Sequence, residues 1–292
     1  MSNPLTLRTM MKKTVRMIGL CALIVLAAVS CKKNEEGTTK TFRATLNSPS
    51  YDAKTYLGSD NYLYWNSGDA IKVYAEDSTS AVFTTNDNAM TVANFSGNIA
   101  QSDNYIGVYP AACFSDMDDE GRVIATVPST QQFVANGFAT DTYFMAAQSE
   151  DGSPSFDFNG LFGLLAIPMK GNATVGSIEL TDAMFNICGD ISMILNQIGK
   201  GDGNNLIEVS DSRDKGKTIT LDFGTVGYTL SEEPVKAYFV LRPLACAYGF
   251  TIVVKDLNGD TLWTKTVPQN LENAIKPEWI LLMPEITVNN LP

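Results

Sequence analysis

Histidine is absent from all 292 residues. That absence excludes a Ser-His-Asp or Cys-His nucleophile system, a His-ligated zinc or haem centre and a histidine proton switch. Cysteine is scarce, with five residues, widely spaced and without a Cys-x-x-Cys pair. Neither a metal knot nor a redox motif fits that spacing. Cys113, Cys188 and Cys246 read as buried small apolar residues, and one disulfide is the most they could form. Basic residues are outnumbered, 21 Lys and Arg against 32 Asp and Glu, for a net charge of -11. A polyanion repels DNA and RNA, and no basic cluster in the folded part offsets this, so nucleic-acid binding is excluded. Sustained helical periodicity with caps is also missing; only Ser192 to Ile198 reads as a short helical turn. What remains is ordinary globular composition, 45% hydrophobic and 10% aromatic, which rules out collagen-like and disordered chains.

Lys12, Lys13 and Arg16 precede an apolar run from Met17 to Val29. At about 13 residues the run is too short to span a bilayer as a helix and suits the core of a signal peptide. It ends in Ala28-Val29-Ser30-Cys31, which resembles a bacterial lipobox, where the thiol is diacylated and becomes the mature N-terminus. Residues 1–30 are therefore expected to form a lipoprotein signal peptide, with Cys31 as the lipidation site. Residues 31–40 are polar and unpatterned, as a flexible tether would be. Lys33-Asn34-Glu35-Glu36 resembles a surface-export signal of Bacteroidetes lipoproteins; a solvated tether with no address is the alternative. Loss of residues 1–30 removes Arg8, Lys12, Lys13 and Arg16 and no acid, leaving 17 basic against 32 acidic residues and a net charge of -15.

From residue 41 onward, short strand patterns recur between turn signals. Thr41 to Leu46 alternates, with Phe42, Ala44 and Leu46 on one face. Tyr62 to Trp65 and Ala70 to Tyr74, joined by Asn66-Ser67-Gly68-Asp69, read as a hairpin. Strands follow over Asn94–Ile99, Tyr105–Pro110, Arg122–Pro128 and Phe156–Phe158. Leu161 to Pro168 is apolar on both faces, as a central or inter-domain strand is. A second series begins near Gly171 with Ser177–Leu180, Thr218–Phe223 and Lys236–Pro243. Gly249–Lys255 and Asp260–Lys265 flank Asn258-Gly259, the sequence of a type I′ hairpin turn. Trp279–Pro284 and Ile286–Val288 close the chain. The expectation is all-β, with two β-sandwiches over residues 41–170 and 171–292.

Chemistry is harder to find. Without histidine an enzyme would need paired carboxylates or an activated Lys, Ser or Cys. The acids Asp116, Asp118, Asp119 and Glu120, like Asp202, Asp211 and Asp214, lie in loops, where solvation explains them, so no catalytic residue and no cofactor is assigned. Asp116, Asp118 and Glu120 with Gly121 match the first half of a calcium loop, but position 12 is Val127 instead of a bidentate Glu. They remain the metal candidates, against a tight acidic hairpin loop. Gly199 to Asn205 lacks the Lys-Ser/Thr ending of a phosphate loop. Tyr51, Tyr56, Tyr62 and Tyr64 could stack on sugars or simply pack.

Taken in order, these residues resemble the fimbrillin family, the lipoprotein subunits of the Bacteroidetes type V pilus, which include major-fimbrium and Mfa-like groups. The resemblance rests on the lipobox, Thr41-Phe42-Arg43-Ala44 and the Trp-x-x-Gly-Asp motif (Trp65, Gly68, Asp69) followed by Ile71 and Val73-Tyr74. Phe156 to Ile167, Val175 to Leu180 and Met283 to Val288 extend it over most of the mature chain. It implies two tandem transthyretin-like sandwiches, a lipid anchor in the outer membrane, and a structural or adhesive role at the cell surface or in a fimbrium. It also implies strand exchange with other fimbrillin-type subunits: an arginine-specific protease removes an N-terminal strand and a neighbour's strand fills the groove. Arg43 and Ala44 flank the candidate cleavage bond, and Ile286, Thr287 and Val288 form the candidate donor strand. Adhesion would be to host or bacterial surface glycan or protein. The competing reading is a monomeric surface lipoprotein that binds glycan through loop aromatics.

Overall fold

In the computed structural model, residues 37–47, 63–118, 121–149, 151–194 and 216–290 are described. The strands in chain order begin with β1 (Thr38–Leu46), β2 (Ala70–Ala75), β3 (Ser80–Thr84), β4 (Val92–Ile99) and β5 (Tyr105–Tyr109). Next come β6 (Arg122–Val127), β7 (Thr130–Val134), β8 (Gly137–Phe138), β9 (Met145–Ser149), β10 (Ser155–Gly160) and β11 (Gly163–Gly171). Then follow β12 (Thr174–Val175), β13 (Ser177–Asp182), β14 (Gly189–Ile194), β15 (Thr218–Asp222) and β16 (Tyr228–Thr229). The last are β17 (Val235–Leu241), β18 (Phe250–Lys255), β19 (Thr261–Val267), β20 (Ile280–Leu282) and β21 (Ile286–Val288). The architecture is all-β, as expected.

Seven strands close into a barrel in the order β1-β10-β9-β5-β2-β3-β4. Closure depends on β1, which pairs antiparallel with β4 from Thr38↔Ile99 to Thr45↔Val92 and parallel with β10 from Arg43↔Ser155 to Leu46↔Phe158. Strand periodicity turns Phe42, Ala44 and Leu46 inward, where all three are buried, and leaves Thr41 and Arg43 exposed. Inside, the Phe42 ring stacks on Phe156 at 4.6 Å and meets Phe83 and Tyr105 edge-on at 5.3 and 5.1 Å. Such pairs add to the burial of large rings, which supplies most of the driving force for closing a small barrel.

The other strands make sheets that draw on both sides of residue 170. β11 lies between β17, antiparallel, and β20 and β21, both parallel. Leu164, Leu165, Ala166 and Ile167 are each at most 1% exposed, so the run reads as apolar on both faces because it is covered on both. A further sheet has the order β19-β18-β13-β15-β7-β8, and β6 pairs with β14.

Three local expectations are corrected. The segment ending at Trp65 does not form a hairpin with β2: Trp65 bridges Met90, while β2 pairs with β3 and β5. Ser192, Met193 and Ile194 extend in β14, so the helical turn is absent there, and residues 195–198 lie outside the described residues. The β18–β19 turn is not type I′, because Gly259 has a positive φ (88°) and Asn258 does not. Instead the Gly259 N–H donates to the Asp256 carbonyl at 3.2 Å and the Asp256 N–H to that of Asp260 at 3.0 Å, a turn followed by a glycine in the left-handed region. The Asp256 carboxylate accepts from the N–H groups of Asn258 and Asp260, which favours the longer loop.

Phe42→Ala leaves a cavity where four aromatic rings meet and is expected to cost about 3–5 kcal/mol. Urea unfolding of the protein measures it; a loss under about 1 kcal/mol would contradict the packing described.

Candidate functional site

The site follows from what holds β1 in place. Trp65 is 1% exposed, and its indole N–H donates to the Ala44 carbonyl at 3.2 Å, so a side chain from outside the barrel's strands clamps the middle of β1. Its ring sits edge-on to Phe95, Tyr109 and Phe158 at 5.0, 5.2 and 5.4 Å. Asp69 shapes the turn after it: one carboxylate oxygen accepts the Asn66 N–H at 2.8 Å and the other accepts the Tyr109 hydroxyl at 3.1 Å. Gly68 takes a φ of 94° and donates its N–H to the Thr85 carbonyl at 2.9 Å, a backbone state that favours glycine. The Trp-x-x-Gly-Asp motif is therefore a clamp that ties β1 and β5 together, without hairpin pairing to β2.

Leu46, Tyr64, Trp65, Tyr109, Phe138 and Met145 line a cavity of about 10 Å³ beside the clamp. That space holds about one water molecule, so it does not admit a sugar ring. Of the tyrosines singled out for stacking, Tyr64 lies here, while Tyr51, Tyr56 and Tyr62 lie outside the described residues.

Arg43 and Ala44 stand mid-strand. The Arg43 N–H donates to the Pro154 carbonyl at 2.7 Å, and the two residues pair with Asn94 and Ala93 on one side and with Ser155 and Phe156 on the other. The bond between them is thus held by two neighbouring strands, and a protease would reach it only after β1 moves. Ile286, Thr287 and Val288 form β21, paired with Met169, Lys170 and Gly171; Ile286 and Val288 are buried and Thr287 is exposed. The segment leading to it is anchored by Glu278, whose Oε1 accepts the Gly160 N–H at 2.7 Å and whose own N–H donates to the Phe162 carbonyl at 2.8 Å. Sequence reading missed Glu278 because a lone acid before a strand carries no signal of burial.

Cys31 and Glu120 lie outside the described residues. Asp116 and Asp118 do not converge on one point. Asp116 pairs with Lys72 at 2.8 Å and accepts the Ser80 hydroxyl at 2.7 Å, and these hydrogen bonds hold its carboxyl below its ordinary range. Asp118 accepts the Arg122 N–H at 2.8 Å and closes the hairpin at Gly121. Among the described residues, no group of three or more Cys, Asp or Glu could hold a metal ion. Cys113, Cys188 and Cys246 are free thiols, and burial raises the pKa of each.

This is a β-barrel with attached sheets, its first strand clamped in place by a tryptophan. No family model matches the chain, and no curated protein matches it. In fold it is similar to a candidate cell adhesion protein from Bacteroides ovatus ATCC 8483, at a TM-score of 0.52 and 15% identity over 86% of this chain and 92% of that one. A candidate cell adhesion protein from Bacteroides uniformis ATCC 8492 aligns over 89% of this chain and 94% of that one, at 14% identity and a TM-score of 0.48. At these identities the likeness is one of fold.

Burial raises the Glu278 pKa, and the Gly160 N–H offsets part of that rise. The native state therefore binds this proton more tightly than the unfolded chain, so the contribution is largest at low pH and is lost as pH rises through the raised value. Glu278→Gln keeps the Oε1 acceptor and cannot ionise. Thermal melts are expected to show it gaining stability over wild type at pH 7.5 and not at pH 4; an equal shift at both would contradict this.

Proposed function

We propose that the chain is a fimbrillin-type, lipid-anchored outer-membrane protein with a structural or adhesive role at the cell surface, assembling by strand exchange between subunits and carrying no catalytic site. The observation that carries this reading is β1. It begins at Thr38, within the stretch expected to be tether, closes the barrel from both sides, and fills the interior with Phe42, Ala44 and Leu46. Its departure would leave unpaired backbone on β4 and β10 and a groove floored by aromatic rings, which a strand from a second subunit satisfies. The fold likeness to a Bacteroides ovatus candidate cell adhesion protein supports the reading.

In this account Cys31 carries the lipid, cleavage at Arg43-Ala44 follows opening of β1, and β21 is the donated strand. The division at residue 170, into two transthyretin-like sandwiches, belongs to the same proposal, with β6, β7 and β8 lending pairings to strands beyond it. Partners are other fimbrillin-type subunits and a surface glycan or protein. Among the described residues, the aromatic cavity beside Trp65 holds about one water and offers no room for a sugar ring.

An immunoblot of outer-membrane fractions, with and without boiling in detergent, tests the proposal. A ladder that collapses to one band on boiling is expected. A single band under both conditions would overturn assembly by strand exchange.

A further inference from the structure

Asparagine followed by glycine is the most labile amide pair in a polypeptide, because glycine has no Cβ to keep its nitrogen away from the preceding side-chain carbonyl. The chain contains three such pairs, Asn136-Gly137, Asn159-Gly160 and Asn258-Gly259. The dipeptides are identical, and the fold treats them differently.

At Asn159 both reacting groups are held. The Gly160 N–H donates to Glu278 Oε1 at 2.7 Å, Asn159 Oδ1 accepts from Asn47 Nδ2 at 3.0 Å, and Asn159 Nδ2 donates to the Asp157 carbonyl at 3.2 Å. Gly160 is buried, and a Cβ there would run into Tyr143 and Glu278, so the main chain has no room to turn. At Asn136 the side-chain oxygen accepts the Lys236 N–H at 2.9 Å, the Asn136 N–H donates to the Lys236 carbonyl at 3.1 Å, and Gly137 pairs with Val134. Asn258 differs in each respect. Its side chain makes one polar contact among the described residues, from Nδ2 to Asp256 Oδ2 at 3.5 Å, the limit of a hydrogen bond. Asn258 and Gly259 are both exposed, and a Cβ at Gly259 would meet nothing within 4 Å. The Gly259 nitrogen is restrained only by the long turn bond, 3.2 Å, to the Asp256 carbonyl.

We propose that Asn258 is a site of spontaneous deamidation, left open by the fold that protects Asn136 and Asn159. The co-reactant is water. The Gly259 nitrogen attacks Cγ of Asn258, the Cγ–Nδ2 bond breaks, and the proton shed by the nitrogen leaves with Nδ2 as ammonia, which closes a succinimide ring. Water then adds to either ring carbonyl and gives aspartate or isoaspartate. Either product places a further carboxylate beside Asp256 and Asp260. Isoaspartate also lengthens the main chain between these two residues, whose 3.0 Å backbone bond closes the hairpin loop. The site is independent of the strand exchange proposed above.

The protein is incubated at pH 8 and 37 °C, then digested at intervals with an acid-active protease for peptide mass spectrometry. The Asn258 peptide is expected to convert at least about tenfold faster than the Asn136 and Asn159 peptides, into two isomeric acids resolved by chromatography. In urea, where no fold protects any of the three, their rates are expected to converge. An Asn258 peptide that stays an amide in the native protein, or converts no faster than the other two, would overturn the proposal. A difference that persists in urea would overturn it too, since the selection would then lie in the flanking sequence and not in the fold.

Discussion

The bond from the Trp65 indole to the Ala44 carbonyl is the small contact on which the barrel turns. β1 is held in the barrel by three means. It pairs with β4 and β10, it inserts Phe42, Ala44 and Leu46 into the interior, and its centre is clamped from outside its own sheet. Remove β1, and Phe83, Tyr105 and Phe156 lose a ring they pack against.

The same logic governs the rest of the molecule. β11 is shared by β17 on one side and by the two short strands β20 and β21 on the other, so the end of the chain is a structural part of a sheet that begins near its middle. Most contacts are accordingly long-range in sequence, which favours slow, cooperative folding.

Much of the fold could be read from alternation alone. Phe42, Ala44 and Leu46, the doubly apolar Leu164 to Ile167 and the alternating Phe250 to Lys255 of β18 all lie where the sequence pattern puts them, because burial follows that pattern along each strand. Strands β7, β9 and β14 escaped, since Gln131, Gln148 and Asp190 break the apolar pattern for reasons visible only in three dimensions. Gln131 is the plainest case: a polar residue in the core, satisfied by a strand 109 positions away. Trp65 was legible as a marked residue, yet its partner, the main chain of β1, is not something spacing reveals. The type I′ turn failed because Asn-Gly fits two loop lengths, and the Asp256 side chain selects the longer.

The account's central claim is that β1 must leave for subunits to join. Thr41 and Ser96 face each other across β1 and β4, with their hydroxyls 3.0 Å apart, a placement within reach of a disulfide. The Thr41→Cys, Ser96→Cys variant, blotted from outer-membrane fractions without boiling, tests the claim most directly. The account predicts no ladder while the disulfide is intact and a ladder once it is reduced. A ladder that persists with β1 covalently pinned to β4 would contradict it.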